Sequence, residues 1–338
     1  MKIKVQTIMK SILNHLFEHK TFSHEQSKEI LTNIALGKYN HSQMAAFMTA
    51  YCMRSITVDE LEGFRDAMLD LCLPVKLDAD ELIDLCGTGG DGKDTFNIST
   101  LASFVVAGAG YKVAKHGNYG VSSGCGSSNV MEFLGYQFTN DTDVLSRNID
   151  EANICFLHAP LFHPAMKTVA PIRRELGVKT FFNMLGPLVN PARPNNQMAG
   201  VYNLELARLY AYLYQKSDVK YTILNALDGY DEVSLTCDFK TFSTDGEKIN
   251  TIEALGFEKL NPAEIVGGHS VSDSAKIFSD VLHGEGTVAQ HNVVVCNAAI
   301  AIRTIKPDRT FANCFYEAEE ALLSKKALQS FEKLINKN

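Results

Sequence analysis

The sequence predicts an α/β fold, with a small all-helical domain at the N-terminus and a larger domain built on a mainly parallel central sheet. Residues 1–72 place apolar side chains at helical spacing. From residue 81 onward, short apolar runs alternate with helical segments, which is the pattern of a βα-type sheet. Pro74 breaks the helical pattern, and we interpret residues 73–80 as a linker or hinge.

The composition is that of a globular protein and argues against nucleic-acid and membrane roles. Of 338 residues, 46% are hydrophobic and 21% are charged, and the formal net charge is -7. A negative chain is poorly suited to neutralising nucleic-acid phosphates. No run approaches the length of a membrane span, and the first residues lack the apolar core of a signal peptide. Eight cysteines without a CxxC pair indicate reduced thiols and a cytoplasmic location.

Four helices are predicted in the N-terminal domain. Apolar residues from Val5 to Phe17 fall on one helical stripe. Ser23 begins a capping box that opens the second helix, and Thr57 begins another that opens the fourth. Ser42 is predicted to cap the third helix. The Met and Phe residues of this region are interpreted as core or dimer contacts.

The larger domain is predicted to alternate strands and helices, with a hairpin at Asp245–Gly246. The predicted strands are 82–85, 111–115, 153–158, 198–202 and 221–227, and the predicted helices are 98–109, 128–134, 163–177, 203–215, 273–282, 288–304 and 316–336.

A glycine-rich stretch between Asp84 and Thr100 joins the first predicted strand to a helix. Its glycines are Gly87, Gly89, Gly90 and Gly92. In such an arrangement the loop N–H groups and the helix dipole favour an anion. Asn97 and Ser99 are predicted to cap the helix. A tight turn without a ligand is the alternative, and we favour the anion site because an aspartate and several hydroxyl side chains share the loop.

The ligand of this loop is predicted to be phosphate or pyrophosphate rather than a dinucleotide. The spacing of Gly87, Gly89 and Gly92 matches the dinucleotide motif, but that fold also expects an acid near the end of the next strand. Here the next strand is predicted to end in Lys115, a cation that suits phosphate. The chain also lacks the Gly-Lys-Ser/Thr sequence of a P-loop.

Asp231 and Glu232 are candidate ligands of Mg²⁺. They follow a predicted strand, and paired carboxylates are the hard oxygen ligands that this ion accepts together with substrate phosphates and water. Adjacent acids are usually solvated surface, and that alternative stays open. The two phosphate-type loops of the chain favour the metal hypothesis.

Two further clusters carry charge. Arg173 and Arg174 are neighbours on one predicted helix and point in different directions, so one of them at most would bind a carboxylate. The segment Lys115–Asn118 precedes a second loop rich in glycine and serine. No Ser-His-Asp or Cys-His arrangement has a supporting context, so no covalent catalysis is predicted.

An ordered set of motifs resembles the anthranilate phosphoribosyltransferase family over essentially the whole chain. Related pyrimidine nucleoside phosphorylases share the Lys-x-Gly-Asn loop, so the complete set carries the resemblance. The motifs are Gly87–Asp91, Asn97–Thr100, Lys115–Asn118 with Val121–Ser123, Ala159–Pro160 followed by His163–Lys167, Arg173–Arg174, Asn183–Pro187 with Asn190–Pro191, and Asp228–Ser234.

The resemblance implies a fold of the nucleoside phosphorylase and phosphoribosyltransferase type. A helical domain of residues 1–72, joined in space by roughly 163–186, would pack on an α/β domain of residues 81–162 and 187–338. Phosphoribosyl pyrophosphate would lie in the crevice between the domains, whose closure would exclude water. The chain would form a homodimer through the helical domain.

The implied reaction transfers the phosphoribosyl group to the amine of anthranilate in tryptophan biosynthesis. Two Mg²⁺ per subunit would be held by Ser99, Asp231 and Glu232. Asn118 and Arg173 would hold anthranilate, and together with Lys115 they are the implied catalytic residues. The implied contacts to the phosphoribosyl donor are Gly87, Gly90, Asp91, Thr95, Asn97, Ser99, Thr100, Lys115 and Ser127.

Three departures from the family pattern concern the acceptor side. Tyr119 replaces a common arginine, Asn225 replaces a frequent histidine, and Cys237–Phe239 replace a frequent Gly-Pro-Thr. A pyrimidine nucleoside phosphorylase and a non-enzymatic nucleic-acid-binding relative of the same fold are the rival hypotheses. The Gly-Thr-Gly-Gly-Asp loop argues against the first, and the net charge of -7 argues against the second.

Overall fold

The structure, a computed structural model, describes residues 2–120 and 124–336, with side chains described from residue 8 onward. The chain divides into two compact units. The helical unit comprises residues 1–74 and 160–191, and the α/β unit comprises residues 75–159 and 192–338. The motif Val121–Ser123 lies outside the described residues.

Helices and strands alternate from residue 82 onward, after four consecutive helices. The helices are α1 (Lys2–Phe17), α2 (His24–Ala35), α3 (His41–Cys52), α4 (Val58–Leu71), α5 (Ile98–Gly108), α6 (Ser127–Phe133), α7 (Thr142–Ala152), α8 (Ala159–Phe162), α9 (Met166–Leu176), α10 (Leu204–Tyr214), α11 (Val271–His283), α12 (Val288–Ile305), α13 (Phe311–Leu323) and α14 (Lys326–Ile335). The strands are β1 (Leu82–Gly87), β2 (Lys112–Gly117), β3 (Ile154–His158), β4 (Asn196–Gly200), β5 (Lys220–Ala226), β6 (Phe239–Ser243) and β7 (Gly246–Asn250).

The first helices begin where short polar side chains can satisfy their free N–H groups. Ser23 and Thr57 cap α2 and α4 in complete capping boxes, which confirms both predictions. The cap of α3 is Asn40 rather than Ser42, so that prediction was wrong. Asn40 Oδ1 accepts the N–H of Gln43 at 2.9 Å, and the N–H of Asn40 donates to Gln43 Oε1 at 3.3 Å. Ser42 therefore lies inside the first turn.

Glu60 is the electrostatic centre of the helical unit. Its side chain is fully buried and accepts hydrogen bonds from both terminal nitrogens of Arg54. Tyr51 Oη donates to it at 3.0 Å, and the backbone N–H groups of Phe22 and Thr57 donate at 3.1 and 3.0 Å. Burial alone would raise the pKa of Glu60, but these bonds outweigh burial and hold its pKa below the ordinary carboxyl value.

Replacing Glu60 by Gln should lower the free energy of unfolding by about 3–5 kcal/mol at pH 7, because Arg54 would keep its charge without a buried partner. Since the folded pKa of Glu60 is depressed, its contribution is present above about pH 4.3 and is lost as pH falls through the folded pKa. Urea unfolding at pH 7 and at lower pH would measure both effects. The control Glu29→Gln, on an exposed acid of α2, should change stability by less than about 0.5 kcal/mol. Equal losses in the two variants would contradict this role of Glu60.

A seven-stranded sheet forms the centre of the α/β unit, in the order β3-β2-β1-β4-β5-β6-β7. Neighbouring strands from β3 to β5 are parallel, and β6 and β7 add an antiparallel hairpin at one edge. The predicted fold class is confirmed. The chain moves outward from β1 to β3 and then returns to the other side of β1 with β4. In such sheets, ligands bind outside the carboxyl ends of the two strands where the order reverses.

Three local features differ from the sequence-based predictions. Strand β2 ends at Gly117 rather than Lys115, because its pairing with β3 continues to that residue. Helix α7 was not predicted, although Asp141 caps it by accepting two backbone N–H groups. The single helix predicted at 316–336 is divided into α13 and α14 at Lys325, which has a φ of 65°.

Helix α5 is buried on all sides within the α/β unit. Nine of its eleven residues are buried, and α12 and α14 pack against it. A helix that is apolar all round is stable only when it is covered in this way. Because α5 directly follows the glycine loop, its packing fixes where the loop ends. Among the described residues, no helix is long and apolar enough to cross a membrane.

Candidate active site

The carboxyl ends of β1 and β4 meet at two paired glycines. Gly87 and Gly200 are register partners at the ends of these strands. A Cβ on Gly200 would collide with the carbonyl oxygen of Asp231, and a Cβ on Gly87 would collide with its carboxylate. Glycine at both positions therefore lets Asp231 lie directly against the two strand ends, at the reversal point of the sheet.

The glycine loop folds back onto the same carboxylate. Gly89 and Gly90 adopt φ values of 65° and 75°, which are accessible to glycine without strain. The N–H of Gly89 donates to Asp231 Oδ2 at 2.7 Å, and the N–H of Thr88 donates to Gly200 O at 2.9 Å. We call the loop 87–100 together with Asp231 and Glu232 the strand-end site.

Glu232 connects the strand-end site to the start of α5. Its Oε1 accepts the N–H of Ser99 at 2.9 Å, and its Oε2 accepts the hydroxyl of Thr95 at 3.4 Å. Burial raises the pKa of Asp231 and of Glu232, and the nearby charge of Asp91 raises the pKa of Asp231 further. The pKa of Glu232 is also raised by Asp231. Asp231 is buried and Glu232 is half-buried, so this neighbouring pair creates a strong demand for positive charge.

Three buried polar atoms of this region have no hydrogen-bond partner among the described residues. They are Thr88 Oγ1, Asn97 Oδ1 and Thr100 Oγ1. An unpaired buried polar atom costs roughly 1–3 kcal/mol, so such atoms are usually partnered. Their position in and beside the glycine loop indicates that a polar ligand supplies the missing partners.

The residues of the strand-end site fit Mg²⁺. This ion is usually bound by one or two carboxylates and takes its other ligands from phosphate oxygens and water. Asp231 and Glu232 offer the carboxylates, and the N–H of Ser99 holds Glu232 with its side chain beside the loop. Within residues 2–120 and 124–336, no group of three or more His, Cys, Asp or Glu side chains is arranged to hold a metal.

Lys115 is a buried cation in the interior of β2. Only 2% of it is exposed, and its Nζ donates to Leu85 O at 2.5 Å and to His116 O at 3.4 Å. Its charge opposes the upward shift in the pKa of Glu232, which places it within electrostatic reach of the carboxylate pair. The prediction of Lys115 as the last residue of a strand was wrong, because β2 continues to Gly117.

The second loop forms its own cluster after β2. The carbonyl of Asn118 accepts the hydroxyl of Ser127 at 3.3 Å and the N–H of Ser128 at 3.1 Å. Asn97 reaches toward this loop, because its Nδ2 donates to Cys125 O at 3.3 Å. Asn97 occupies the cap position of α5 but makes no capping bond, and Ser99 lies inside the helix, so neither caps the helix as predicted.

Arg173 lies on α9 in the helical unit. Its Nη2 donates to Asn183 Oδ1 at 3.2 Å, and its guanidinium lies 5.4 Å from the centre of the Phe182 ring. Burial lowers the pKa of Arg173, and no carboxylate among the described residues pairs with it. Arg174 is exposed. A partly desolvated guanidinium with free donors is a suitable partner for a carboxylate ligand.

The structure thus separates the predicted residues into three groups. The first group is the strand-end site, where contacts connect Gly87, Asp91, Thr95, Ser99, Asp231 and Glu232. The same loop, helix start and strands also carry Gly90, Asn97, Thr100 and Lys115. Asn118 and Ser127 form the second group, and Arg173 belongs to the helical unit.

Two contributors to the strand-end site were not singled out from sequence. Thr88 carries an unpartnered buried hydroxyl, and Lys93 places its Nζ 4.5 Å from the centre of the Tyr230 ring. The second contact ties the glycine loop to the segment that carries the carboxylates, and it is of the cation–π type. Both residues lie within or beside the motifs, but their spacing alone gives no signal of these contacts.

Two of the departures from the family pattern have structural roles in the α/β unit. Asn225 is buried in β5, and its Nδ2 donates to Val201 O at 2.7 Å, next to the end of β4. Asp238 accepts the N–H of Ile252 at 3.0 Å, and Phe239 is buried at the start of β6. These residues stabilise the strands behind the site.

Replacing Gly87 by Ala should weaken binding of a phosphate ligand by at least about tenfold, because the new methyl group would displace the Asp231 carboxylate. Binding of pyrophosphate with Mg²⁺, followed by calorimetry, would measure this loss. In the control Gly124→Ala the added Cβ meets no described atom within 4 Å. Unchanged affinity in Gly87→Ala would show that Asp231 takes no part in the site.

The sequence is similar to that of known enzymes. Residues 79–328 match the glycosyl transferase family, a/b domain, and residues 10–72 match the helical bundle domain of the same family. The anthranilate phosphoribosyltransferase of Christiangramia forsetii is 59% identical over 96% of this chain and 98% of its own. The enzyme of the same name from Cytophaga hutchinsonii is 53% identical over 97% of this chain and 100% of its own.

Solved structures give the same result. Anthranilate phosphoribosyltransferase from Thermus thermophilus superposes with a TM-score of 0.89 at 29% identity, covering 96% of this chain and 98% of that one. The Saccharomyces cerevisiae enzyme, solved in complex with PRPP and Mg, superposes with a TM-score of 0.90 at 26% identity, covering 98% of this chain and 97% of that one. From its motifs, its fold and these relatives, the chain belongs to the anthranilate phosphoribosyltransferase family.

Proposed function

We propose that the strand-end site binds phosphoribosyl pyrophosphate for transfer to anthranilate. The chain transfers the phosphoribosyl group to the amine of anthranilate, giving N-(5-phosphoribosyl)anthranilate and pyrophosphate in tryptophan biosynthesis. The observation that carries this function is the pair of the buried Asp231 and the half-buried Glu232, held by N–H groups of the loop 87–100 at the reversal point of the sheet. A loop suited to anions beside two acids is suited to phosphoribosyl pyrophosphate that is bound as its metal complex.

The donor contacts follow from the strand-end site and the second loop. The loop N–H groups and the unpartnered atoms of Asn97 and Thr100 would bind the phosphoribosyl donor. The full set of proposed contacts is Gly87, Gly90, Asp91, Thr95, Asn97, Ser99, Thr100, Lys115 and Ser127. Lys115 would add a buried positive charge below the loop.

We propose Mg²⁺ as the metal, two ions per subunit, with Ser99, Asp231 and Glu232 as their protein ligands. When bound, the ions would neutralise the negative charge that gathers on the departing pyrophosphate. The carboxylates are already held in place by Gly89 and Ser99, so they need little rearrangement to bind. The pKa of both acids is raised because negative charge without a positive partner is unfavourable in this pocket.

The reaction breaks the bond between ribose C1 and pyrophosphate and forms a bond from C1 to the acceptor nitrogen. Lys115 and the loop N–H groups would stabilise the leaving group electrostatically. The ribose should pass through an oxocarbenium-like state, as sugars do in glycoside chemistry. An aromatic amine is neutral at pH 7 and attacks with its own lone pair, and the nitrogen would then release one proton to solvent. Positioning would therefore contribute more than a general base.

Arg173 and Asn118 are the proposed acceptor ligands. Arg173 would bind the carboxylate of anthranilate, because its guanidinium is partly desolvated and its only polar side-chain partner among the described residues is Asn183. Asn118 would offer its side-chain amide. Both would orient the amine toward ribose C1 rather than exchange protons.

We also propose that the chain is a homodimer through its helical unit and acts in the cytoplasm. Several large apolar side chains of the helical unit are exposed, among them Met53 at 80% and Phe17 at 60%. Such side chains together favour a protein partner. All eight cysteines are free thiols, which supports a reducing compartment. Light scattering of the purified protein would measure the oligomeric state.

One assay tests the proposed function. Anthranilate fluorescence should fall when the protein is mixed with phosphoribosyl pyrophosphate and Mg²⁺, and it should stay constant when either is omitted. The chain contains no tryptophan, so the protein adds little background to this signal. Absence of turnover by folded protein would disprove the function. Phosphate-dependent release of thymine or uracil would instead support the nucleoside phosphorylase alternative.

A further inference from the structure

We infer that Tyr119 is a positioning residue that holds Asn118 in place for the acceptor. This inference rests on the proposed function of Asn118. Tyr119 directly follows Asn118 in the loop after β2, at the edge of the sheet where the strand-end site lies.

The Tyr119 side chain is attached at two points. Its hydroxyl lies 3.2 Å from Glu132 Oε1 on α6. Its ring contacts the ring of His158, the last residue of β3, edge to face, with centroids 4.8 Å apart and planes at 76°. Contacts from two different elements restrain both the tip and the body of one side chain. Each such contact is worth roughly a factor of two to ten in an equilibrium.

Asn118 is coupled to Tyr119 through the backbone. The N–H of Tyr119 donates to Asn118 Oδ1 at 2.8 Å. The Asn118 oxygen is thereby occupied, and its side-chain NH₂ remains as the group that can donate to a ligand. Because the carbonyl of Asn118 is also held by Ser127 and Ser128, a shift of Tyr119 would be transmitted mainly to the Asn118 side chain.

His158 provides a rigid surface for the Tyr119 ring. Its Nδ1 lies 2.8 Å from the hydroxyl of Ser128, and its ring stacks on Phe138 at 4.3 Å with an angle of 18° between planes. His158 is only 5% exposed, and burial lowers its pKa. The imidazole is therefore a neutral aromatic partner at pH 7, fixed in place by its own neighbours.

Tyr119 itself contributes little to the core. It is 38% exposed, whereas its ring partner His158 is buried. Removing an exposed ring leaves no cavity, so its loss should leave the fold intact. The Tyr119 side chain restrains the loop after β2 through a neutral hydroxyl and an edge-to-face ring contact. These properties suit a positioning role better than a purely structural one.

Steady-state kinetics of Tyr119→Ala, Tyr119→Phe and Glu132→Gln test this role. Tyr119→Ala should raise KM for anthranilate about tenfold and leave KM for phosphoribosyl pyrophosphate within about twofold. Tyr119→Phe keeps the ring contact, so it should recover most of the affinity and raise the same KM by about threefold. Glu132→Gln keeps an acceptor for the Tyr119 hydroxyl but removes its charge, so its KM should lie between those of wild type and Tyr119→Phe. The control Tyr212→Ala, on an exposed tyrosine of α10, should change neither KM.

Direct binding separates this inference from the proposed function. Binding of anthranilate in the presence of pyrophosphate and Mg²⁺ can be followed by its own fluorescence without turnover. Weaker binding in Tyr119→Ala than in Tyr212→Ala supports the inference. Equal binding, or an equal rise in both KM values, overturns it, whereas the proposed function fails only if the wild-type protein is inactive. If Tyr119→Ala does not fold, Tyr119→Phe decides the inference, and an unchanged KM for anthranilate in Tyr119→Phe overturns it.

Discussion

Replacing Glu232 by Gln should reduce kcat/KM by at least about a hundredfold. The amide oxygen of Gln can still accept the N–H of Ser99, now 2.9 Å from Glu232 Oε1, so the substitution removes charge and keeps the contact. Because the carboxylate is a proposed metal ligand, the Mg²⁺ concentration needed for half-maximal rate should rise as well. Initial rates over a Mg²⁺ series would measure both effects.

Stability provides a second readout for the same variant. Burial raises the pKa of Glu232, so the metal-free fold disfavours its charged form, and the neutral Gln should unfold at the same or a higher temperature. A loss of activity without a loss of stability would identify a site residue. The control Glu258→Gln, on an acid outside the site, should keep full activity. Activity of Glu232→Gln within about threefold of wild type would remove this carboxylate from the mechanism.

Replacing Arg173 by Ala should raise KM for anthranilate roughly 50-fold, which corresponds to the loss of a charge-assisted, two-pronged hydrogen bond to a carboxylate. KM for phosphoribosyl pyrophosphate should change by no more than about threefold. Arg173→Lys keeps the charge but cannot form two parallel hydrogen bonds to a carboxylate, so its KM for anthranilate should lie between those of wild type and Arg173→Ala. Steady-state kinetics with each substrate varied in turn would show whether KM for anthranilate rises more than KM for phosphoribosyl pyrophosphate.

The adjacent Arg174 provides the matched control. It has the same side chain one residue away on α9, but it is exposed, whereas Arg173 contacts Asn183 and Phe182. Arg174→Ala should therefore leave both KM values unchanged. If Arg173→Ala had unchanged anthranilate kinetics, the acceptor carboxylate would have to be bound by another residue.

Much of the fold was predictable because its signals are local. The capping boxes at Ser23 and Thr57 and the alternation of apolar runs depend on residues a few positions apart, and the structure confirms them. The errors arose where local signals compete. Asn40 rather than Ser42 caps α3, and one periodic apolar stretch is divided at Lys325, whose positive φ no periodicity indicates.

The candidate site was predictable in its parts. The glycine loop, the adjacent acids and Arg173 each carry a residue type suited to one chemistry, and a motif shows that type directly. Their arrangement was not predictable, because it depends on which strands become neighbours. Strand β2 extends two residues beyond its predicted end, so Lys115 lies within the sheet and donates to Leu85 rather than ending the strand.

The fold class and the family resemblance were predictable from the sequence, as was the hypothesis of an anion site at Gly87–Thr100, since these depend on periodicity and on residue types at short spacing. The contacts of Asp231 with Gly89 and of Glu232 with Ser99, across 142 and 133 residues of sequence, depend on the tertiary structure and could not be predicted from local patterns. The physical reason is the sheet order: β4 pairs with β1, the paired glycines Gly87 and Gly200 let the acids approach, and burial there raises their pKa.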